Sequence, residues 1–147
     1  MKIYIGADHN GFEFKQHIAD FLRKSGHEVI DEGDAKQDPE DDFPQFAGRV
    51  VAQLLADKDD AKGILICGSG QGMCMAANRF KGIRASLCWN LEEAHAARND
   101  DDSNVLCLSA RSMKLSDVEA ITTTWLATPF AGADRFRRRI KELDELN

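Results

Sequence analysis

The feature that most constrains this chain is an alternation. Five short β-type runs, each bounded by glycine or polar residues, are separated by longer stretches with helical periodicity. That pattern is the signature of parallel strands joined by helical crossovers that cover both faces of one sheet. The runs are Lys2 to Ala7, His27 to Asp31, Lys62 to Cys67, Ile83 to Cys88 and Asn104 to Ser109. In the first crossover Phe14, Ile18, Phe21 and Leu22 recur at helical spacing, and Gly26 supplies the left-handed residue that ends such a helix. The second has Asp42 as its cap and Pro44 in its first turn, then Phe46, Ala47, Val50, Val51, Leu54 and Leu55 on one stripe. Further on, Ser116 and Glu119 have capping-box spacing, and Ala133 to Leu146 reads as a terminal helix. Glu32 to Asp41, with five acidic residues, reads as a solvated loop.

Right-handed crossovers then give an α/β three-layer sandwich, Rossmann-like with a flavodoxin-like strand order and five parallel strands. The 147 residues suit one domain, residues 1–147. In such sheets ligands bind beyond the carboxyl ends of the strands where the strand order switches, here between strands one and three. The residues just past those strands are Asp8-His9-Asn10-Gly11 and Cys67-Gly68-Ser69-Gly70-Gln71-Gly72, so both polar motifs are expected to converge on one pocket.

Gly68, Gly70 and Gly72 allow a tight turn whose N–H groups, Gln71 among them, point toward one centre beside a helix start, which is an anion cradle. Glycines at that place also serve tight strand-to-helix packing. The cysteine ahead of them sharpens the functional reading, because N–H dipoles facing Cys67 favour a thiolate, which acts as base or nucleophile. Cys88, Cys107 and Cys74 read as buried structural thiols.

Several uses of such a loop are excluded by what is missing. A triphosphate-binding loop needs lysine and a hydroxyl residue after its last glycine, but Met73 and Cys74 stand there. A cysteine phosphatase would place arginine where Met73 lies. A dinucleotide fingerprint belongs after the first strand, where the sequence is Asp8-His9-Asn10-Gly11. The four cysteines lack paired zinc-type spacing, and no metal or other cofactor is expected. A formal charge of −6 argues against a nucleic-acid or membrane partner, and the absence of a signal-like start gives a cytoplasmic expectation. What remains is equipment for removing a proton beside a carbonyl and stabilising the enediolate. Asp8 either shuttles a proton between neighbouring oxygens or caps a helix, and His9 either binds phosphate or lies at a loop surface.

These residues resemble the ribose-5-phosphate isomerase B family and its galactose-6-phosphate isomerase relatives. The likeness rests on Gly6 to Gly11, Gly63 to Gly72, Ala76-Ala77-Asn78, Gly82-Ile83-Arg84-Ala85, Asn104-Val105-Leu106 and Arg111. The resemblance implies interconversion of ribose 5-phosphate and ribulose 5-phosphate without metal, in a homodimer or dimer of dimers with sites at subunit interfaces. It makes Cys67 the enediol base, gives Ser69 and the loop amides the enediolate, sets Asp8 on the sugar hydroxyls, and puts His9 and Arg111 on phosphate or sugar. Arg135 and Arg139 of the last helix would meet the phosphate, with Arg138 a rival for the second place. One departure stands out: Asp100 and Asp101 occupy positions where the family has histidine and asparagine. A phosphate dianion would be repelled there. Two alternatives therefore stay open, an isomerase of a six-carbon sugar phosphate and a catalytically silent sugar-phosphate-binding homologue.

Overall fold

The computed structural model describes residues 1–146. Its five strands are β1 (Lys2–Ala7), β2 (Glu28–Asp31), β3 (Lys62–Cys67), β4 (Ala85–Leu87) and β5 (Val105–Ser109). The helices are α1 (Phe12–Lys24), α2 (Phe43–Ala56), α3 (Gln71–Ala77), α4 (Leu91–Asn99), α5 (Leu115–Ala127) and α6 (Asp134–Asp144). All strand pairs are parallel, in the order β2-β1-β3-β5-β4. Relative to the flavodoxin-like order, the last two strands have changed places, while β1 and β3 remain neighbours. Burial accounts for the exchange. Every residue of Val105–Ser109 is buried, so β5 takes the interior position, whereas the three half-buried residues of β4 form an edge.

Alternate residues of the central strands face opposite layers. Ile3, Ile5, Ile64, Ile66, Leu106 and Leu108 pack with Ile18, Leu22, Val118, Ile121 and Trp125 of α1 and α5. Tyr4, Leu65, Cys67, Val105 and Cys107 face Phe46, Val50 and Val51 of α2 and Met73 of α3. The helical stripes in the sequence are therefore the core faces, except that Leu55 turns out to solvent at the end of α2, and Gly26 closes α1 at φ +88°.

Three local expectations differ. The cap of α5 is Lys114 rather than Ser116, which lies inside the first turn, and Glu119 instead bonds His17 Nε2 at 2.6 Å. Asp42 caps α2 in extended conformation without a side-chain bond. The acidic segment is the exposed loop expected over residues 35–40, but it is anchored at its two ends, by cations near β2 and by His9 near α2. Fully buried Lys15 donates to both Asp31 oxygens at 2.9 and 2.8 Å and to the Asp34 carbonyl at 2.9 Å, and Arg49 reaches Asp34 at 3.3 Å. Buried charge of this kind is tolerated only when paired and hydrogen-bonded.

Candidate active site

Two turns meet at the carboxyl end of the sheet. β1 and β3 pair with Ala7 opposite Ile66, and Asp8 N–H continues the ladder to the Ile66 carbonyl at 3.3 Å. The next turn is pulled closer still, since a Cβ at Gly11 would stand 2.5 Å from the Ile66 oxygen. Only glycine fits there. Asp8, 6% exposed, closes its turn by accepting N–H bonds from Asn10 and Gly11 on Oδ1 at 3.0 and 3.1 Å. Asp8 thus caps its own turn through one oxygen, and the N-cap of α1 is Gly11.

Cys67 ends β3 and is 4% exposed, and the Gly70 N–H donates to its sulfur at 3.2 Å. Gly70 takes φ +75°, and a Cβ on it would lie 2.4 Å from Leu87 Cδ1, so the turn requires glycine twice over. Exposed Ser69 accepts the Gln71 N–H on Oγ at 3.3 Å. Two of the expected cradle amides are thus engaged inside the loop. On the third side, β5 carries Ser109 opposite Cys67, and Ser109 Oγ donates to the Gly68 carbonyl at 2.9 Å. Arg111 N–H bonds the same carbonyl at 2.9 Å, and its guanidinium arches over Gly68, with Nη2 3.0 Å from where a Cβ would be. Asn10 lies over the same glycine. Asp8, Asn10, Cys67, Gly68, Ser69 and Arg111 therefore form one constellation, with His9 at its edge.

His9 carries a partner that the sequence did not reveal. Asp41 Oδ1 accepts both the His9 backbone N–H at 3.0 Å and its ring Nδ1 at 2.7 Å, while Asn10 Nδ2 lies 3.1 Å from Nε2. The hydrogen bond to Asp41 raises the imidazole above its ordinary range, with Asp8 and Asp38 adding to the effect and desolvation opposing it. Asp8, His9 and Asp41 each bring one donor atom to within 4.8 Å of the others. Both Oδ1 atoms already take N–H donors, so the group reads as a hydrogen-bonded unit rather than as metal ligands.

A second thiol is also poised. Half-buried Cys74 donates to the Ala85 carbonyl at 3.3 Å and receives Asn78 Nδ2 at 3.6 Å. A hydrogen bond from Cys107 brings Cys74 down to about 7, and fully buried Cys107 is pushed well up. Cys74 faces β4, away from Asp8.

Arg135 and Arg139 are not part of this constellation within one chain. The Ala131 N–H bonds the Asn99 carbonyl at 3.0 Å, which starts α6 beside the loop that enters β5, at the amino end of the sheet. Arg135 stacks on Phe136 at 4.4 Å, and Arg139 bears on Asp101. From the Gly63–Val105 pair to the Cys67–Ser109 pair the register climbs four residues, about 13 Å at the ordinary rise. Asp100 and Asp101 lie below that lower pair. Burial first, then Asp100, raises the Asp101 carboxyl, with Arg139 and Arg84 opposing. The negative field expected from these two aspartates is therefore partly offset by two guanidinium groups and lies at the far end from Cys67 of the same chain. Arg98 fixes this loop by bonding Asp102 at 2.7 Å and the Ser103 carbonyl at 2.6 Å, with Trp125 Nε1 on Ser103 Oγ at 2.7 Å.

The model of a family described as Ribose/Galactose Isomerase matches residues 3–143. The chain belongs to that family. It is accordingly a sugar isomerase, and its relatives agree on the same grouping. A ribose-5-phosphate isomerase B of Mycolicibacterium paratuberculosis is 38% identical over 145 residues, covering 99% of this chain and 91% of that protein. The crystal structure of a ribose 5-phosphate isomerase from Thermotoga maritima has TM-score 0.93 and 41% identity, over 98% of this chain and 97% of that one. The enzyme from Mycoplasma genitalium, solved with bound ribulose-5-phosphate, has TM-score 0.94 and 39% identity, over 99% and 95%. Among the described residues, no helix is long and apolar enough to cross a membrane.

Proposed function

We propose that this isomerase interconverts ribose 5-phosphate and ribulose 5-phosphate, with Cys67 moving the proton. The observation that carries the assignment is the sulfur of Cys67 receiving an amide hydrogen at the carboxyl end of β3, across the β1–β3 crevice from Asp8. In the open-chain aldose, Cys67 takes the hydrogen from C2 and the electron pair passes to the carbonyl oxygen at C1, giving an enediolate. A proton moves between the two oxygens through Asp8, and Cys67 returns its proton to C1. Ser69 and those amides of the Gly68–Gly72 loop not already engaged on Cys67 or Ser69 meet the developing oxyanion in this reading, where each oriented donor typically contributes about 3 kcal/mol, while the Gly70 and Gln71 N–H groups hold the loop in shape. Cys67 is nearly covered, which suits proton transfer from an edge-on carbon in a water-poor site.

His9 and Arg111 hold the phosphate-bearing end of the sugar in this reading. Arg135 and Arg139 join from a second copy, since they sit at the opposite end of their own sheet. A homodimer is supported further by apolar side chains on the α2–α3 face: Met75, 66% exposed, and Phe80, 41% exposed, adjoin Phe43 in a shallow cleft of about 430 Å³. Coincident patches of this kind mark association surfaces.

The test is direct. Purified protein should convert ribose 5-phosphate to ribulose 5-phosphate and exchange the C2 hydrogen with solvent. Cys67→Ala should lower kcat by about 10²–10⁴-fold, the usual range for a positioned base. Wild-type turnover in that variant would remove the mechanism, and faster turnover of a six-carbon phosphate would change the substrate.

A further inference from the structure

The acidic segment ahead of α2 does more than connect β2 to that helix. Its last residue, Asp41, has a side chain only 8% exposed, and one carboxylate oxygen takes two hydrogens from a single residue on a different turn, the backbone N–H and the Nδ1–H of His9. From the same segment, Gln37 Nε2 donates to the His9 carbonyl at 2.7 Å. Asp38 stiffens the approach, its side chain accepting the Glu40 N–H at 3.0 Å and its carbonyl the Asp41 N–H at 3.2 Å. His9 is thus gripped at its amide, its carbonyl and one ring nitrogen. The ring nitrogen outside that grip is Nε2, which lies beside Asn10, and Asn10 in turn lies over Gly68.

We propose that Asp41 is a positioning residue for the isomerase reaction. It orients the imidazole of His9 so that Nε2, which takes a proton from solvent as the phosphate dianion arrives, is the nitrogen that donates to the phosphate-bearing end of the sugar, with Asn10 Nδ2 lying against Nε2 before then. This deepens the reading above and rests on its assignment of His9 to substrate binding. The hydrogen-bond pattern sets the chemistry. An imidazole has two nitrogens and both can donate only when it is protonated, so occupying Nδ1 with an anionic acceptor decides which nitrogen faces outward. Locking the backbone N–H on the same oxygen also fixes the origin of the side chain, which a ring hydrogen bond alone would not do. Asp41 bonds His9 and neither Asp8 nor the Cys67 loop, although its carboxylate comes within 4.8 Å of Asp8, so its contribution is to holding substrate through His9.

The experiment compares Asp41→Ala, Asp41→Asn and His9→Ala, using ribose 5-phosphate as substrate and the ring ¹⁵N shifts of His9 in the free protein. Asp41→Ala should raise KM tenfold or more with kcat within about threefold of wild type. Asparagine keeps an acceptor oxygen in place, so Asp41→Asn should restore KM to within about threefold of wild type. The ¹⁵N spectrum should show hydrogen fixed on Nδ1 in wild type and in Asp41→Asn, and tautomeric averaging in Asp41→Ala. The proposal is overturned if Asp41→Ala leaves KM and the ring shifts unchanged, if it lowers kcat instead, or if Asp41→Asn is as impaired as Asp41→Ala. An unchanged KM in His9→Ala would overturn the assignment of His9 itself. A raised KM there with normal kinetics in Asp41→Ala would overturn only the role of Asp41.

Discussion

If each site is assembled from two chains, two inactive variants should rescue one another. Cys67→Ala removes the base at the carboxyl end of the sheet, and a joint Arg135→Ala and Arg139→Ala change removes the guanidinium groups at its amino end, about 13 Å or more away along β5. Within a dimer carrying one chain of each kind, one site receives both lesions and the other receives neither. Random reassortment of equal amounts gives half mixed dimers, and half of their sites are intact, so activity should recover to about a quarter of wild type. The assay is ribulose 5-phosphate formation after mild dissociation and remixing, with mass in solution measured for each variant to establish that both still pair. A mixture that stays at the average of its two parents, while forming mixed dimers, would refute the composite site. Full activity in the double arginine variant would refute the role of those arginines. The interface site then would have to be built from other residues.

Other expectations concern local chemistry. Cys74, brought down to about 7 and half-buried, should be the first thiol alkylated by iodoacetamide, with a rate rising through neutral pH as the thiolate forms and disappearing in Cys74→Ala. Asp57 is lowered from 3.8 to about 2, chiefly by the Tyr4 hydroxyl, then by the Asp59 N–H and Lys2. A depressed folded-state value means that this stabilisation is present above 3.8 and lost as pH falls toward about 2, so urea midpoints of Asp57→Asn should be flatter than wild type across that window. Gly70→Ala should destabilise by about 2–5 kcal/mol, from left-handed backbone strain of roughly 1–2 and overpacking against Leu87 of roughly 1–3, read as a lower Tm.

The strands were legible because glycine and polar residues bracket short apolar runs, and those signals depend only on local spacing. β1 and β3 match their expected limits, while β4 is shorter than Ile83 to Cys88, because Arg84 N–H is taken by the Asn104 side chain at 2.8 Å rather than by a strand neighbour. The exchange of β4 and β5 was not legible, since periodicity marks a strand without naming its neighbour. Cys67, Asp8 and Ser69 stood out by their place after strands. Asp41 did not, because a run of like charges ordinarily signals hydration, and nothing in the spacing shows that Lys15, Arg49 and His9 return from distant positions to neutralise it. Arg135 and Arg139 were named by resemblance alone, and their remoteness from Cys67 of the same chain only becomes visible once the sheet has a direction.

The contact between Gly11 and the Ile66 oxygen has a mechanical consequence. It makes the Asp8 turn and the last residues of β3 into a single rigid joint, with main chain resting on main chain and no side chain between them to change rotamer. The spacing between the main chain that carries Asp8 and the main chain that carries Cys67 is thereby set by bond lengths and van der Waals radii. If the proposed chemistry runs between these two groups, its tolerance is machined into the strand ends rather than entrusted to the loops around them.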